Sequence, residues 1–101
     1  MAKFTKDSLS QNKSIPSAIP PEFILGLGDV LAIGQVKYGR FNWAKCPTNK
    51  LYLYEDALLR HVLAYLSGEE FDEETGLCHL YHAGCNLAFL DYFRRNKNEQ
   101  E

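Results

Sequence analysis

Clustered positive charge is missing from this 101-residue chain, which carries a formal net charge of −2 at pH 7. A protein that binds duplex nucleic acid needs grouped lysines and arginines to displace counterions. The basic residues here are scattered along the chain instead. We therefore expect no duplex nucleic acid as a partner, whereas a local site for a small anion stays compatible with this distribution.

Long hydrophobic runs are also missing. No apolar segment approaches the ~20 residues that span a bilayer, and no hydrophobic run follows the first Met as it does in a signal peptide. The three cysteines are an odd number without a framework spacing, so they predict reduced thiols. The sequence therefore predicts a cytoplasmic protein with no membrane partner.

Hydrophobic periodicity predicts an all-α fold, a small bundle of about three main helices. The helical patterns cover residues 22–38, 51–67 and 77–95. Three glycines in the first pattern, Gly26, Gly28 and Gly34, indicate either a close helix crossing or a broken helix. We find no pattern of paired strands.

The predicted helices form a single domain over residues 22–95. Residues 1–21 contain three prolines and lack a period, which predicts a flexible or extended arm, although its apolar residues could also dock on a neighbour. Residues 96–101 predict a frayed tail. Because a chain this short buries only roughly 60–65% of its unfolded surface, we expect a homo-oligomer, a dimer or tetramer, to complete the bundle.

The last helical pattern carries a polar stripe. His79, His82 and Asn86 are spaced by three and four residues, which places them on one helical face. Burying such groups is costly unless something satisfies them. This stripe is either a metal or polar-ligand site or a hydrogen-bonded layer between helices.

A third histidine, His61, follows Arg60 in the preceding helical pattern. If the two helices pack antiparallel, His61 can approach the face that carries His79 and His82. By itself, a lone histidine is more often a satisfied partner than a ligand. Arg60 could equally pair with Asp56, four residues earlier.

An acidic segment precedes this last helical pattern. Its five carboxylates are Glu69, Glu70, Asp72, Glu73 and Glu74. They favour either a solvated connector or a site for a hard divalent cation, Mg²⁺ or Mn²⁺. Zinc bound by Cys78, His82 and Cys85 is disfavoured, because this spacing does not match a zinc finger.

The segment KYGRFNW, residues 37–43, combines cations with aromatic and amide groups. Lys37 and Arg40 can meet phosphates. Tyr38 or Trp43 can stack on a base, and Asn42 can hydrogen-bond to one. The alternative is a loop anchored by a buried Trp with solvated cations. No Gly-rich phosphate loop or Rossmann fingerprint is present.

Together, KYGRFNW and ALLRHVLAYLSGEEFDEETGLCHLYHAGCNLAFL resemble the domain family called dATP/dGTP diphosphohydrolase, N-terminal, which occurs in phages and prophages. The resemblance covers roughly residues 26–92. It implies hydrolysis of purine (deoxy)nucleoside triphosphates to monophosphate and pyrophosphate, in the cytoplasm of a bacterial host if a phage encodes the chain. It also implies a helical fold similar to MazG-type pyrophosphohydrolases, which are oligomers that place divalent cations on acidic residues.

The resemblance indicates which residues correspond by position, and we infer their roles from their chemistry. The catalytic candidates are Glu69, Asp72, Glu74 and His61. The metal candidates, for Mg²⁺ or Mn²⁺, are Glu69, Asp72, His79 and His82. The substrate-binding candidates are Lys37, Tyr38, Arg40, Asn42, Trp43, Arg60, His79, His82 and Asn86, with Lys37 and Arg60 on phosphate and Trp43 and Asn42 on the base.

The MazG-type pattern is matched only in part. Its E-E-x-x-E string falls on residues 69–73, in a Gly-bounded connector rather than within a helix. His79-x-x-His82 stands where E-x-x-D is expected. Two alternatives to the enzyme therefore stay open: a phage protein that binds nucleotide or a host protein without catalysis, and a helical interaction module whose polar layer sets helix register.

Overall fold

Three α-helices and no β-strand are present between residues 13 and 97, the range that the computed structural model describes. The helices are α1 (Pro21–Tyr38), α2 (Tyr52–Leu66) and α3 (His79–Arg95), with short 3₁₀ turns at Pro16–Ala18, Asn42–Lys45 and Thr48–Lys50. The predicted all-α class is confirmed. Residues 1–12 of the expected arm and 98–101 of the expected tail lie outside the described range. No helix within it has the length and hydrophobicity needed to cross a membrane.

Helix α1 is continuous through its three glycines, so the expected close crossing is present and the helix break is not. It begins at Pro21, where a missing N–H costs nothing. Gly26 is buried against α3, and a Cβ placed there would lie 2.5 Å from the ring of Tyr81. From the other side, a Cβ on Gly84 would lie 2.6 Å from Leu27. The absence of side chains at both positions lets the two backbones approach.

Helices α2 and α3 pack antiparallel. Near one end, the ring of Tyr54 lies 5.1 Å from that of Phe89. Two turns further along α2, the ring of His61 lies 4.5 Å from that of His82. The prediction that antiparallel packing would bring His61 to the α3 histidines is confirmed.

The core of this three-helix unit is small. The apolar side chains that are buried within the described residues are Ala83, Cys85 and Phe93, all on α3. On α2, three leucines stay largely uncovered: Leu59, Leu63 and Leu66 are 57%, 62% and 72% exposed. Helix α3 is therefore the central element, with α1 and α2 packed against it.

Helix α3 begins at His79, two residues later than the sequence pattern predicted. The preceding residues are held in a loop instead. Phe71 and Cys78 form an isolated antiparallel bridge, and the Asp72 N–H donates to the Leu77 carbonyl at 2.8 Å. The connector between α2 and α3 is thus folded back on itself, which brings Asp72 beside the helices.

Candidate functional site

The connector loop holds the carboxylate of Asp72 in a fixed orientation. Its Oδ1 accepts hydrogen bonds from the backbone N–H groups of Glu74 and Thr75, both at 2.9 Å, and from the Thr75 hydroxyl at 3.3 Å. Gly76, with φ of 74°, closes this turn and donates its N–H to the Asp72 carbonyl. The second oxygen, Oδ2, is directed to α2 and lies 4.0 Å from His61 Nδ1.

Three histidines from two helices meet beside this carboxylate. The Nδ1 atoms of His61 and His79 are 2.8 Å apart. His82 stacks on His61 with only 10° between the ring planes, and its Nε2 lies 2.7 Å from the Thr75 hydroxyl. The loop and both helices are therefore joined through side chains at one point.

One nitrogen in this cluster is buried without a partner. His79 is 5% exposed, and its Nε2 has no hydrogen bond within residues 13–97. The nearest carboxylate oxygen, Glu69 Oε2, is 3.5 Å away, which is an electrostatic contact rather than a hydrogen bond. A buried polar atom without a hydrogen bond is costly, so a further polar group at this nitrogen would be stabilising.

The electrostatics of the cluster favour neutral His61 and His82 rings beside an ionised Asp72 carboxylate. Burial lowers the pKa of His61, and the neighbouring His82 and His79 lower it further. The charge of Asp72 raises this pKa but does not outweigh them. Burial also lowers the pKa of His82. Burial raises the pKa of Asp72, but hydrogen bonds from Thr75 and Glu74 and the charge of His82 outweigh it and leave that pKa below its usual value.

This donor set fits a divalent cation. His61, Asp72 and His79 each offer one ligand atom, and these atoms all lie within 4.8 Å of one another. Neutral imidazoles and an ionised carboxylate are the protonation states that a metal requires. Two imidazoles and one carboxylate suit Mn²⁺ or a later transition metal better than Mg²⁺, which prefers oxygen ligands.

The predicted metal ligands occupy different places around this point. Asp72 and His79 are in the three-residue cluster. Glu69 lies beside His79, and His82 is engaged by Thr75. His61, expected in a catalytic role, supplies the third potential ligand instead.

The predicted phosphate-binding cations lie on the surface around the cluster. Lys37, near the end of α1, forms an ion pair of 3.4 Å with Glu74 on the connector loop. Arg60 is exposed, and no carboxylate within the described residues lies within 4 Å of it, so the pair with Asp56 is not formed.

Asn86, predicted to bind substrate, is buried and donates to the His82 carbonyl at 2.9 Å. The side chain of Asn86 thus braces α3 rather than extending to solvent.

The predicted base-binding residues lie around a cavity of about 520 Å³. Tyr38, Asn42 and Trp43 all line it, together with Arg40, which the sequence predicted to meet phosphate. Trp43 is half-buried and stacks on Phe89 with the ring centroids 4.7 Å apart. The segment 37–43 therefore anchors its Trp and also presents a concave surface.

Sequence reasoning missed three residues of these two sites. Thr75 joins Asp72 to His82, and the Asp-x-x-Thr spacing was a turn signal that could have revealed it. Tyr54 and Phe89 form the floor beneath Trp43. Burial raises the pKa of Tyr54 to about 12, and its hydroxyl donates to the Trp43 carbonyl at 2.7 Å. No sequence signal indicated that pairing.

The fold and the cluster together define a small all-α domain with a candidate divalent-metal site of two histidines and an aspartate. The chain belongs to the family described as dATP/dGTP diphosphohydrolase, N-terminal, whose model matches residues 3–101. The family resemblance predicted from the sequence is confirmed.

A curated relative supports the same family. It is a protein named dATP/dGTP diphosphohydrolase from Salmonella phage PMBT28, 40% identical over 87 residues. The match covers 86% of this chain and 29% of the relative, so the chain spans less than a third of that protein's length. No solved structure matches the chain.

Proposed function

We propose that this domain takes part in the metal-dependent hydrolysis of purine (deoxy)nucleoside triphosphates to monophosphate and pyrophosphate. The observation that carries the proposal is the convergence of His61, Asp72 and His79, whose potential ligand atoms all lie within 4.8 Å of one another. The name of the phage relative, dATP/dGTP diphosphohydrolase, supports the reaction class.

In this proposal, His61, Asp72 and His79 hold the cation. A bound divalent cation would polarise a phosphoryl oxygen and make water more acidic. The donor set favours Mn²⁺ over Mg²⁺ among the two expected metals. Glu74 and Thr75 act through Asp72, because their N–H groups fix its carboxylate.

The proposed reaction is the attack of water on the nucleotide, and the remaining polar residues each assist one part of it. Water attacks the α-phosphorus, the bond from that phosphorus to the bridging oxygen breaks, and pyrophosphate leaves. Glu69, whose half-exposed carboxylate lies 3.5 Å from His79 Nε2, takes the proton from the water. Lys37 and Arg60 hold the phosphates, and Lys37 must exchange its surface pair with Glu74 for a phosphate oxygen.

The test is to incubate the purified protein with a panel of nucleoside triphosphates and Mg²⁺, Mn²⁺ or EDTA, and to separate the products by chromatography. Metal-dependent release of purine monophosphate and pyrophosphate is expected. Asp72→Asn should abolish turnover. Glu73→Gln, an exposed carboxylate on the same loop, is the matched control and should retain it. Recovery of intact nucleotides under every condition, with binding that persists in EDTA, would instead favour the non-catalytic binding protein.

We also propose that a second copy of the chain covers the exposed side of α2. Leu59, Leu63 and Leu66 form a single stripe there that the three-helix unit leaves exposed. Light scattering should give a dimer or tetramer, and Leu63→Glu should shift it toward the monomer. A monomer at every concentration for the unmodified chain would contradict this proposal.

A further inference from the structure

The cavity beside the end of α1 has the character of a ligand site rather than a packing defect. Its volume of about 520 Å³ falls in the range of small-molecule sites, roughly 300–1,000 Å³. It lies where α1 ends, between that helix and the α2–α3 contact, with Tyr54 and Phe89 in its lining. The lining also includes the amide residues Gln35 and Asn42, so apolar walls occur together with a few polar groups.

Aromatic side chains around the cavity are held in place from behind. Trp43 is fixed by stacking on Phe89 and by the hydrogen bond from the Tyr54 hydroxyl to its backbone carbonyl. Phe41, at 6.4 Å from the Trp43 ring, has a φ of 60°, which is a strained value for a residue with a Cβ. Tyr38 is 67% exposed at the opening. A flat aromatic ligand could therefore stack without reorganising the loop.

The cavity and the histidine cluster lie along the same contact between α2 and α3. Tyr54 and His61 are seven residues apart on α2, and Phe89 and His82 are seven apart on α3. Seven residues are two helical turns, about 10 Å, so both pairs lie on the same side of their helix. The cavity and the cluster thus occupy neighbouring positions along one helix–helix contact, offset by about 10 Å along the helices, which is within the length of an extended nucleoside triphosphate.

We infer that this cavity is the base subsite of the nucleotide site and that it accepts a purine. The base stacks on the aromatic side chains of Tyr38 and Trp43, Asn42 and Gln35 hydrogen-bond to its edge, and the phosphates extend along α2 and α3 to the histidine cluster. Amide side chains suit an adenine in particular, since one amide can donate to its N7 and accept from its 6-amino group together. The inference rests on the proposed function for the direction of the nucleotide.

Binding can be measured without turnover, because Trp43 is the only Trp in the chain. We would titrate the protein with deoxyadenosine or deoxyguanosine monophosphate, in EDTA and again with Mn²⁺, and follow Trp43 emission. At least one of these purine nucleotides should change the emission. Deoxycytidine monophosphate and inorganic tripolyphosphate should change it much less. Equal responses to the purine and the pyrimidine, or to tripolyphosphate, would overturn the assignment.

Two variants of exposed tyrosines make the measurement specific. Tyr38→Ala should weaken purine binding by about tenfold, the effect of losing one stacking contact. Tyr52→Ala removes a tyrosine that is similarly exposed but lies outside the cavity, and should bind like the unmodified chain. Circular dichroism would verify that both variants are folded. Unchanged binding in Tyr38→Ala would refute the subsite.

The two proposals can fail independently. If purine binding depends on Tyr38 but no nucleotide is hydrolysed, the base subsite stands and the hydrolase does not. If hydrolysis occurs with the same KM in Tyr38→Ala, the hydrolase stands and the base lies elsewhere.

Discussion

The Nδ1 atoms of His61 and His79 lie 2.8 Å apart, so one ring must donate a proton and the other must accept it. If His61 donates, the proton of His79 is on Nε2, directed to Glu69. If both Nδ1 atoms were to act as metal ligands, both would have to offer lone pairs, so the proton of the donating ring would have to move to its Nε2 as well. The same contact is thus a hydrogen bond without metal and a pair of ligands with it.

Metal binding should therefore raise the stability of the protein. Mn²⁺ at 100 times its dissociation constant is expected to add about 2.7 kcal/mol to the free energy of unfolding. Thermal melts with and without Mn²⁺ measure this, and His79→Gln should lose the increase. Glu73→Gln should keep it. The same increase in His79→Gln would place the cation elsewhere.

Stability should also depend on pH in a defined direction when no metal is present. The pKa values of His61 and His82 are lowered in the folded protein, so the unfolded chain binds protons first as pH falls. The two residues therefore contribute their stability above about pH 6.5 and lose it as pH decreases below that value. The lowered pKa of Asp72 acts only in more acidic solution, below its usual range.

Urea unfolding at pH about 7.5 and about 5.5 measures this dependence. The unmodified chain should be less stable at the lower pH. His82→Gln should show a smaller difference between the two conditions, because one of the two groups is removed. A chain that gains stability on acidification would disprove the assignment of these histidines as the groups responsible.

The crossing of α1 and α3 should not tolerate a methyl group. Gly26→Ala places a Cβ against the Tyr81 ring, and forcing extra volume into a packed contact costs about 1–3 kcal/mol. Gly28→Ala is the matched control, since nothing lies within 4 Å of a Cβ there. It should stabilise α1 by up to about 1 kcal/mol through helix propensity. Denaturant unfolding of both variants tests the pair, and equal effects would contradict the crossing.

The hydroxyl of Thr75 should matter more than its size suggests. Thr75→Val keeps the shape but removes the contacts to His82 Nε2 and Asp72 Oδ1. Leaving polar groups without partners costs about 1–3 kcal/mol. Mn²⁺ affinity should fall as well, because Asp72 loses part of its support. Thr48→Val, at an exposed position in a 3₁₀ turn, is the control, and an equal effect there would contradict the role.

Much of the fold followed from local pattern. Helical periodicity predicted α1, α2 and α3 to within two residues at each end, because amphipathic spacing and Pro or Gly at the boundaries act through the local chain. The start of α3 was misplaced, since Leu77 and Cys78 are held by bonds to Asp72 and Phe71 across the loop. Such bonds have no signature in a helical period.

The candidate site divides in the same way. The sequence by itself determined that His79 and His82 share one face of α3 and that carboxylates stand just before it, because helix geometry and chain proximity require this. Only the tertiary structure decided which residues meet: His61 with His79, Thr75 with His82, and Trp43 with Phe89. Each of those contacts joins two separate elements. Which residues meet therefore depends on the close α1–α3 crossing and on the register of α2 against α3, and packing across the whole molecule sets both.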